Sequence, residues 1–426
     1  MTDIDQSVSH DQSSEEGHAY LSAAEAADRL GVKVPTLYAY TSRGLVRSVA
    51  GPRGRARRYL RADIDRLRIR RDARAGHGPA AAGALRFGEP VLDTRITSID
   101  SERGPSYRGH RATDLAEADT PFEAVCELLW GGALQGLPKP WRAVDLEGQL
   151  EALSSLLSDA ATPIERLSLV VPLLASRDPG RFATEARAVR PRARVLMRGM
   201  AGAFSLGRGA CALTQTLAAP DLASALGCAL AAGDSSDAVR AINRALVLCA
   251  DHELNASTFA ARVAASTGAD LYACVAAALA TLSGPRHGGA ADRIEALIDE
   301  IGEPGRAQQV VHERARRGEA IEGFGHPLYP GGDPRGLSLL ELAAALSPRA
   351  RAVRVCRALV EELDPARGGP TVDLGLVALC GALGLARGSA LGLFAMARCA
   401  GWVAHSLEQY AAGYLLRPRA RYLERD

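Results

Sequence analysis

Aromatic side chains are scarce in this chain, and that scarcity limits what its core can be. Phe, Trp and Tyr make up 5% of 426 residues, so Ala, Leu and Val must fill the interior. Neither charge sign dominates. The formal net charge is +2, which says little about partners until its distribution along the chain is read. No apolar run reaches the roughly 18 residues needed to span a bilayer, and no membrane partner is expected. The first 18 residues, MTDIDQSVSHDQSSEEGH, hold acids but no Lys or Arg, unlike a signal or transit peptide, and a cytoplasmic location is expected. None of the eight cysteines sits in a Cys-x-x-Cys pair, and most lie in apolar helix-like runs such as LYACVAAALA. They read as buried, reduced thiols, with no disulfide framework and no metal site. No Gly-x-Gly-x-x-Gly follows a strand and no Walker loop occurs, which excludes the common nucleotide folds. A Gly-x-Ser-x-Gly elbow is also missing, which argues against a Ser-His-Asp hydrolase.

What is present is a globular composition, 47% hydrophobic and 23% charged, on a chain too long for one core. Two or three domains are expected. Residues 1–18 are acidic and aperiodic and predict a disordered tail. In YLSAAEAADRLGV, Ser22 and Glu25 form a capping box, Ala23, Ala26, Ala27 and Leu30 keep helical spacing, and Gly31 ends the helix. Pro35 opens a second helix that runs to about Arg43, with Gly44 as its stop. Two short helices across a Gly-Val turn have the form of a helix-turn-helix. GPRGRARRYLRADIDRLRIRRDAR then predicts a basic hairpin or wing and a third helix opening near Arg61. Between Arg29 and Arg71 stand 13 Lys or Arg against Asp63 and Asp65, the footprint of phosphate binding inside a nearly neutral protein. The motifs LSAAEAADRLGV, PTLYAYTSRGLV and RRYLRADIDRL resemble the N-terminal domain of MerR-type and excisionase-like DNA-binding proteins. The resemblance implies that the helix from Pro35 to Arg43 enters a major groove, with Thr36, Tyr38 and Arg43 facing DNA and the wing adding Arg55 and Arg57. This domain is set at 19–72, and ARAGHGPAAAGA at 73–84 reads as a linker.

The rest of the chain is a long body of helical patterns, and four of its stretches place titratable side chains at element boundaries. They are LCADHELNAST with Asp251, His252 and Glu253; LSGPRHGGAAD with His287; IEGFGHPLYPGGDPRG with His326 and Arg335; and GGPTVDLGL with Asp373. Glycine and proline make shaped loops that can aim such groups into a cleft. One carboxylate with two histidines can take a weakly acidic carbon proton, hydrogen-bond the enolate and protonate an acceptor carbonyl. Nearby arginines would clamp carboxylates in bidentate fashion. This set of groups fits proton abstraction beside a carbonyl followed by carbon–carbon bond formation. Asp251 and Glu253 read as capping a helix and orienting His252. His405 reads as packed or lightly hydrogen-bonded, and His77, His110 and His312 as surface residues.

The stretches DHELNAST, GPRHGGA, GFGHPLY with DPR, VDLGL and RCAGWVAHSLEQYAAGYLLRPRARY resemble the citrate synthase family. Their order and spacing are similar to that family from about residue 86 to the end, and SIDSERGPSYRGHRATDLAE resembles its early Tyr-Arg-Gly segment. The resemblance implies a mostly α fold, with citrate synthase-like large and small helical domains preceded by the small winged helix-turn-helix. The large domain would span 85–287 and 383–426, and the small domain, 288–382, would close over the substrates. Asp373 would be the base, His287 would bind the enol oxygen, and His326 would protonate the oxaloacetate carbonyl. His252, Arg335 and Arg398 would hold carboxylates, and Arg417 would reach into the partner's site of a homodimer. A coenzyme A thioester would be co-substrate, lying against Gly323, Phe324 and Gly325, with no tightly bound cofactor. Family members often carry Asn where this chain has Ala291, and Arg or Ala where it has Pro327; both changes alter the cleft lining and bear on substrate choice. Three activities are in play. They are citrate synthesis from acetyl-CoA, 2-methylcitrate synthesis from propionyl-CoA, and DNA-bound sensing of a metabolite without turnover.

Overall fold

The computed structural model describes residues 20–50, 57–61, 63–64, 67, 92–134, 141, 145–158, 160–232, 235–363, 368–418 and 422. The expected tail at 1–18, the linker at 73–84, Arg55 and His77 lie outside them. The chain separates into two compact units, Met1–Asp93 and Thr94–Asp426.

In the first unit the Ser22 hydroxyl accepts from the Glu25 N–H, and the Glu25 carboxylate accepts from the Ser22 N–H at 2.8 Å, so the capping box forms. The helix Ala23–Leu30 ends at Gly31 in the left-handed region. The second helix is Val34–Ser42, one residue earlier than the proline implied, because Pro35 fits either of the first two helical positions, where no intrahelical N–H is needed. The strands Ser48–Ala50 and Arg57–Leu60 pair antiparallel as a hairpin, and Tyr20–Leu21 adds to the free edge of Arg57–Leu60. Ala26, Ala27, Leu30, Leu37, Val46, Tyr59 and Ile64 form the core of this unit. Asp63 is buried and takes the Arg47 guanidinium in a fork, Nε at 2.8 Å and Nη2 at 3.0 Å. At least one of the 13 basic residues is therefore engaged in holding the hairpin to Asp63, just beyond it.

The second unit opens with a three-stranded meander, Thr97–Asp100, Gly104–Tyr107 and His110–Arg111, and is otherwise helical. Its deepest element is Ser389–Ala412. Among the described residues this helix alone is long and apolar enough to cross a membrane by length and composition. It is buried within the unit, and it carries Arg398, His405 and Glu408. Small residues let other helices approach closely. A Cβ on Gly336 would lie 2.3 Å from the Thr371 carbonyl oxygen, and one on Gly375 2.4 Å from that of Gly336. Backbone contact between Pro334–Leu346 and Val372–Ala382 thus requires glycine, and it brings Arg335 near Asp373. Six cysteines are buried as expected, but Cys228 is half-buried and Cys211 is exposed. Cys211 lies in the first turn of Ala210–Ala218, on the side that faces solvent.

Candidate active site

The glycine-rich loop is stitched to the Gly-Gly-Pro-Thr turn that precedes Asp373. The Gly325 N–H donates to the Gly369 carbonyl at 3.2 Å, Thr371 N–H to Gly323 at 2.9 Å, and Asp333 N–H to Pro370 at 2.9 Å. Gly323 and Gly325 have φ of 90° and 77°, which favour glycine. Phe324 between them bridges to Pro370. Asp373 follows in the first turn of Val372–Ala382. Burial raises its carboxyl pKa, against the opposing charge of Arg335.

The His326 Nδ1 accepts the Leu328 N–H at 3.1 Å, so neutral His326 carries its proton on Nε2. Its ring centroid lies 5.8 Å from His252 and 5.1 Å from Tyr329. Tyr329 is buried, and its hydroxyl lies 2.6 Å from His252 Nε2. Burial, helped by the charges of Arg335 and Arg398, lowers the His252 pKa well below the ordinary value. Burial brings His287 down to about 4, so its imidazole is neutral near pH 7. His287 Nε2 lies 2.9 Å from Ser257 Oγ, which also accepts from Trp402 Nε1 at 3.3 Å. Ser257 has one proton, and both His287 and Asn255 Oδ1 lie within reach of it. Its choice between them sets which nitrogen of His287 is protonated.

The two inner arginines differ. Arg335 gives Nε and Nη2 to Asp333, at 3.0 and 2.6 Å, and both residues are buried. Asp333 takes the Nε–Nη2 edge, while Nη1 has no partner among the described residues, so the Nη1–Nη2 edge can still take a carboxylate. Arg398 gives Nε to the Cys249 carbonyl at 2.9 Å, and among the described residues neither of its Nη atoms has an acceptor. The structure therefore gathers His252, His326, Arg335, Arg398 and Asp373, with His287 close enough to feel the charge of Arg398. Arg417 is exposed beyond the C-terminal helix, in a segment fixed by the Leu416 N–H to Ser266 Oγ at 3.1 Å. Ala291 is buried in Gly289–Ile301, whereas Pro327 is exposed beside His326.

One reading of the sequence changes. Asp251 and Glu253 do not cap the next helix. Asn255 does, because it directly precedes Ala256–Ser266 and its Oδ1 reaches the Thr258 N–H at 3.0 Å. Asp251 instead meets His405, which is buried, at 3.2 Å. Tyr107, Ser257 and Tyr329 were missed as well, since a hydroxyl without a motif around it carries little signal.

The family description "Citrate synthase, C-terminal domain" matches residues 86–419. The chain belongs to the citrate synthase family. Within it, the chain is 38% identical over 195 residues to Citrate synthase 2 of Bacillus subtilis, covering 44% of this chain but only 52% of that relative. It is 31% identical over 355 residues to 2-methylcitrate synthase 1 of Corynebacterium glutamicum, covering 77% of this chain and 92% of that one. Citrate synthase from Thermoplasma acidophilum, solved as a ternary complex with carboxymethyl coenzyme A and oxaloacetate, superposes with a TM-score of 0.68. That pair is 26% identical and covers 81% of this chain and 96% of the other. A helix-turn-helix domain matches residues 20–72 of this citrate synthase family member. There Tyr38, Arg43 and Arg57 are exposed and Thr36 is half-buried. Arg43 donates Nε to the Ala39 carbonyl at 3.1 Å, which ties it to the end of its helix.

Proposed function

We propose that the body condenses an acyl-CoA thioester with oxaloacetate, most simply acetyl-CoA, giving citrate and coenzyme A as in the tricarboxylic acid cycle. The observation that carries this is one cluster holding a carboxylate of raised basicity, two neutral imidazoles and two buried guanidinium groups. Asp373 removes a proton from the acyl α-carbon, and His287 hydrogen-bonds the enol oxygen that results. The carbon attacks the oxaloacetate carbonyl, whose oxygen takes the Nε2 proton of His326. Water then cleaves the thioester and releases the thiol. His252, Arg335 and Arg398 hold the carboxylates, and Gly323, Phe324 and Gly325 lie along the coenzyme A. The small domain, 288–382, closes over both substrates, and in a homodimer Arg417 completes the partner's site.

The second reading, 2-methylcitrate synthesis from propionyl-CoA, rests on the long alignment with a relative of that name. One methylene is worth about 1–3 kcal/mol in a pocket, so the two donors differ by roughly 10- to 200-fold at most. Thiol release from purified protein with oxaloacetate and each donor separates them. No release with either, from folded protein, sinks the condensation. Tyr329→Phe removes the hydroxyl beside His252 and is expected to raise the KM for oxaloacetate about threefold to tenfold, with the melting temperature held. An unchanged KM would remove Tyr329 from the site.

We further infer that the first unit binds DNA through Thr36, Tyr38, Arg43, Arg55 and Arg57, supported by the helix-turn-helix match and the local basic excess. Duplex binding is expected to weaken steeply with salt, and Arg43→Ala with Arg57→Ala to flatten that slope by about two phosphate contacts. A salt slope unchanged by the double replacement would exclude this face.

A further inference from the structure

Beneath the cluster lies a second polar group with no assigned part in the reaction. Asp251 is fully buried. Its Oδ2 accepts from Thr97 Oγ1 at 2.5 Å and from His405 Nε2 at 3.2 Å, while its Oδ1 takes no hydrogen bond. The carboxylate fits only because residue 401 is glycine, since a Cβ there would lie 2.1 Å from Oδ1. A buried carboxylate with one oxygen unsatisfied is costly, so its retention in this place calls for a compensating role.

The surroundings indicate that role. Arg398, Gly401 and His405 lie on one face of Ser389–Ala412, at helical spacings of three and four. That face grips the stretch before the substrate histidine. Arg398 binds the Cys249 carbonyl, Gly401 N–H the Ala250 carbonyl at 3.0 Å, and His405 the Asp251 side chain. From the other side the Tyr107 hydroxyl accepts the Asp251 N–H at 3.4 Å. His252 is the next residue. Burial disfavours the Arg398 charge, and the Asp251 carboxylate is the foremost group opposing that loss.

We propose that Asp251, held by Thr97 and His405, is a positioning residue for the oxaloacetate site: it fixes the stretch 249–251 that seats His252. This rests on the condensation reading above, since that reading assigns His252 to oxaloacetate. Asp251 touches no substrate itself. Its loss therefore weakens the keto-diacid selectively and leaves the acyl-CoA site alone.

The test is calorimetric titration of the full chain with oxaloacetate, followed by steady-state kinetics in both substrates. Asp251→Asn keeps the shape and removes the charge. It is expected to weaken oxaloacetate binding about 10- to 100-fold while the KM for acyl-CoA holds. Thr97→Val is expected to weaken it less, and Thr97→Ser to restore it. A folded Asp251→Asn protein with wild-type affinity overturns the proposal, as do equal losses for both substrates, the mark of a merely structural residue. If Asp251→Asn does not fold, the Thr97 pair decides: equal oxaloacetate affinity for Val and Ser overturns it. Wild-type protein that binds no oxaloacetate overturns the condensation reading and this inference together. Wild-type turnover with unchanged variants sinks this inference alone.

Discussion

Asp373→Asn is expected to lower kcat by about 10²- to 10⁴-fold, the usual share of a positioned general base, while both KM values stay within a few fold. The asparagine keeps the shape of the side chain in the first turn of Val372–Ala382 and loses only the ability to accept a carbon proton. Stability should move the other way. Burial raises the folded pKa of Asp373 above its unfolded value, so the ionised form is disfavoured in the fold. Such a group contributes stability at low pH and loses it as pH rises through the folded pKa. The asparagine variant should therefore melt higher than wild type near pH 7, and the gap should close in acid. Turnover requires the ionised carboxylate, so the wild-type acid limb should lie above the ordinary aspartate range. Thiol release and melting curves across pH check both parts. Full activity in the variant, or a lower melting point at pH 7, would remove Asp373 from the role of buried base.

Much of this was legible because the chain marks its turns. Gly-x-Gly spacing around His326, the Gly-Pro turn before Asp373 and the capping box at Ser22 all act through local backbone chemistry, which needs no knowledge of distant partners. The Lys and Arg excess of the first unit was equally visible, since charge can be counted. What stayed hidden depends on contacts between residues far apart in sequence. Asp251 lies next to His252 in the chain, yet its partners are Thr97 and His405, each 154 residues away. Its acidic character suggested a helix cap that also orients His252, and only the packing of Ser389–Ala412 against residues 249–251 shows what holds it in place. Arg335 shows the same limit. Its residue type suggested a carboxylate clamp, and only the structure shows that Asp333, two residues earlier, takes one edge of the guanidinium and leaves Nη1 without a partner among the described residues. Hydroxyls at Ser257 and Tyr329 were missed because their meaning lies in which histidine they face.

Arg335→Leu is expected to be the most damaging single replacement in the body, for two reasons that can be separated. Asp333 is completely buried, and the Arg335 side chain supplies two of the hydrogen bonds that satisfy its carboxylate. Removing one partner of such a pair leaves an uncompensated charge, at a cost of about 3–5 kcal/mol in stability. The same replacement deletes the buried Nη1, which has no partner among the described residues, and so also weakens oxaloacetate. The double variant Asp333→Asn with Arg335→Leu distinguishes the two effects. Asparagine needs no counter-charge and can still accept the Arg335 backbone N–H that now reaches Asp333 Oδ1 at 3.0 Å, so the start of Pro334–Leu346 keeps its cap. Most of the lost stability should return in thermal unfolding, whereas oxaloacetate affinity should not. Recovery of both would make Arg335 a structural counter-ion only, and recovery of neither would mean that its packing matters more than its charge.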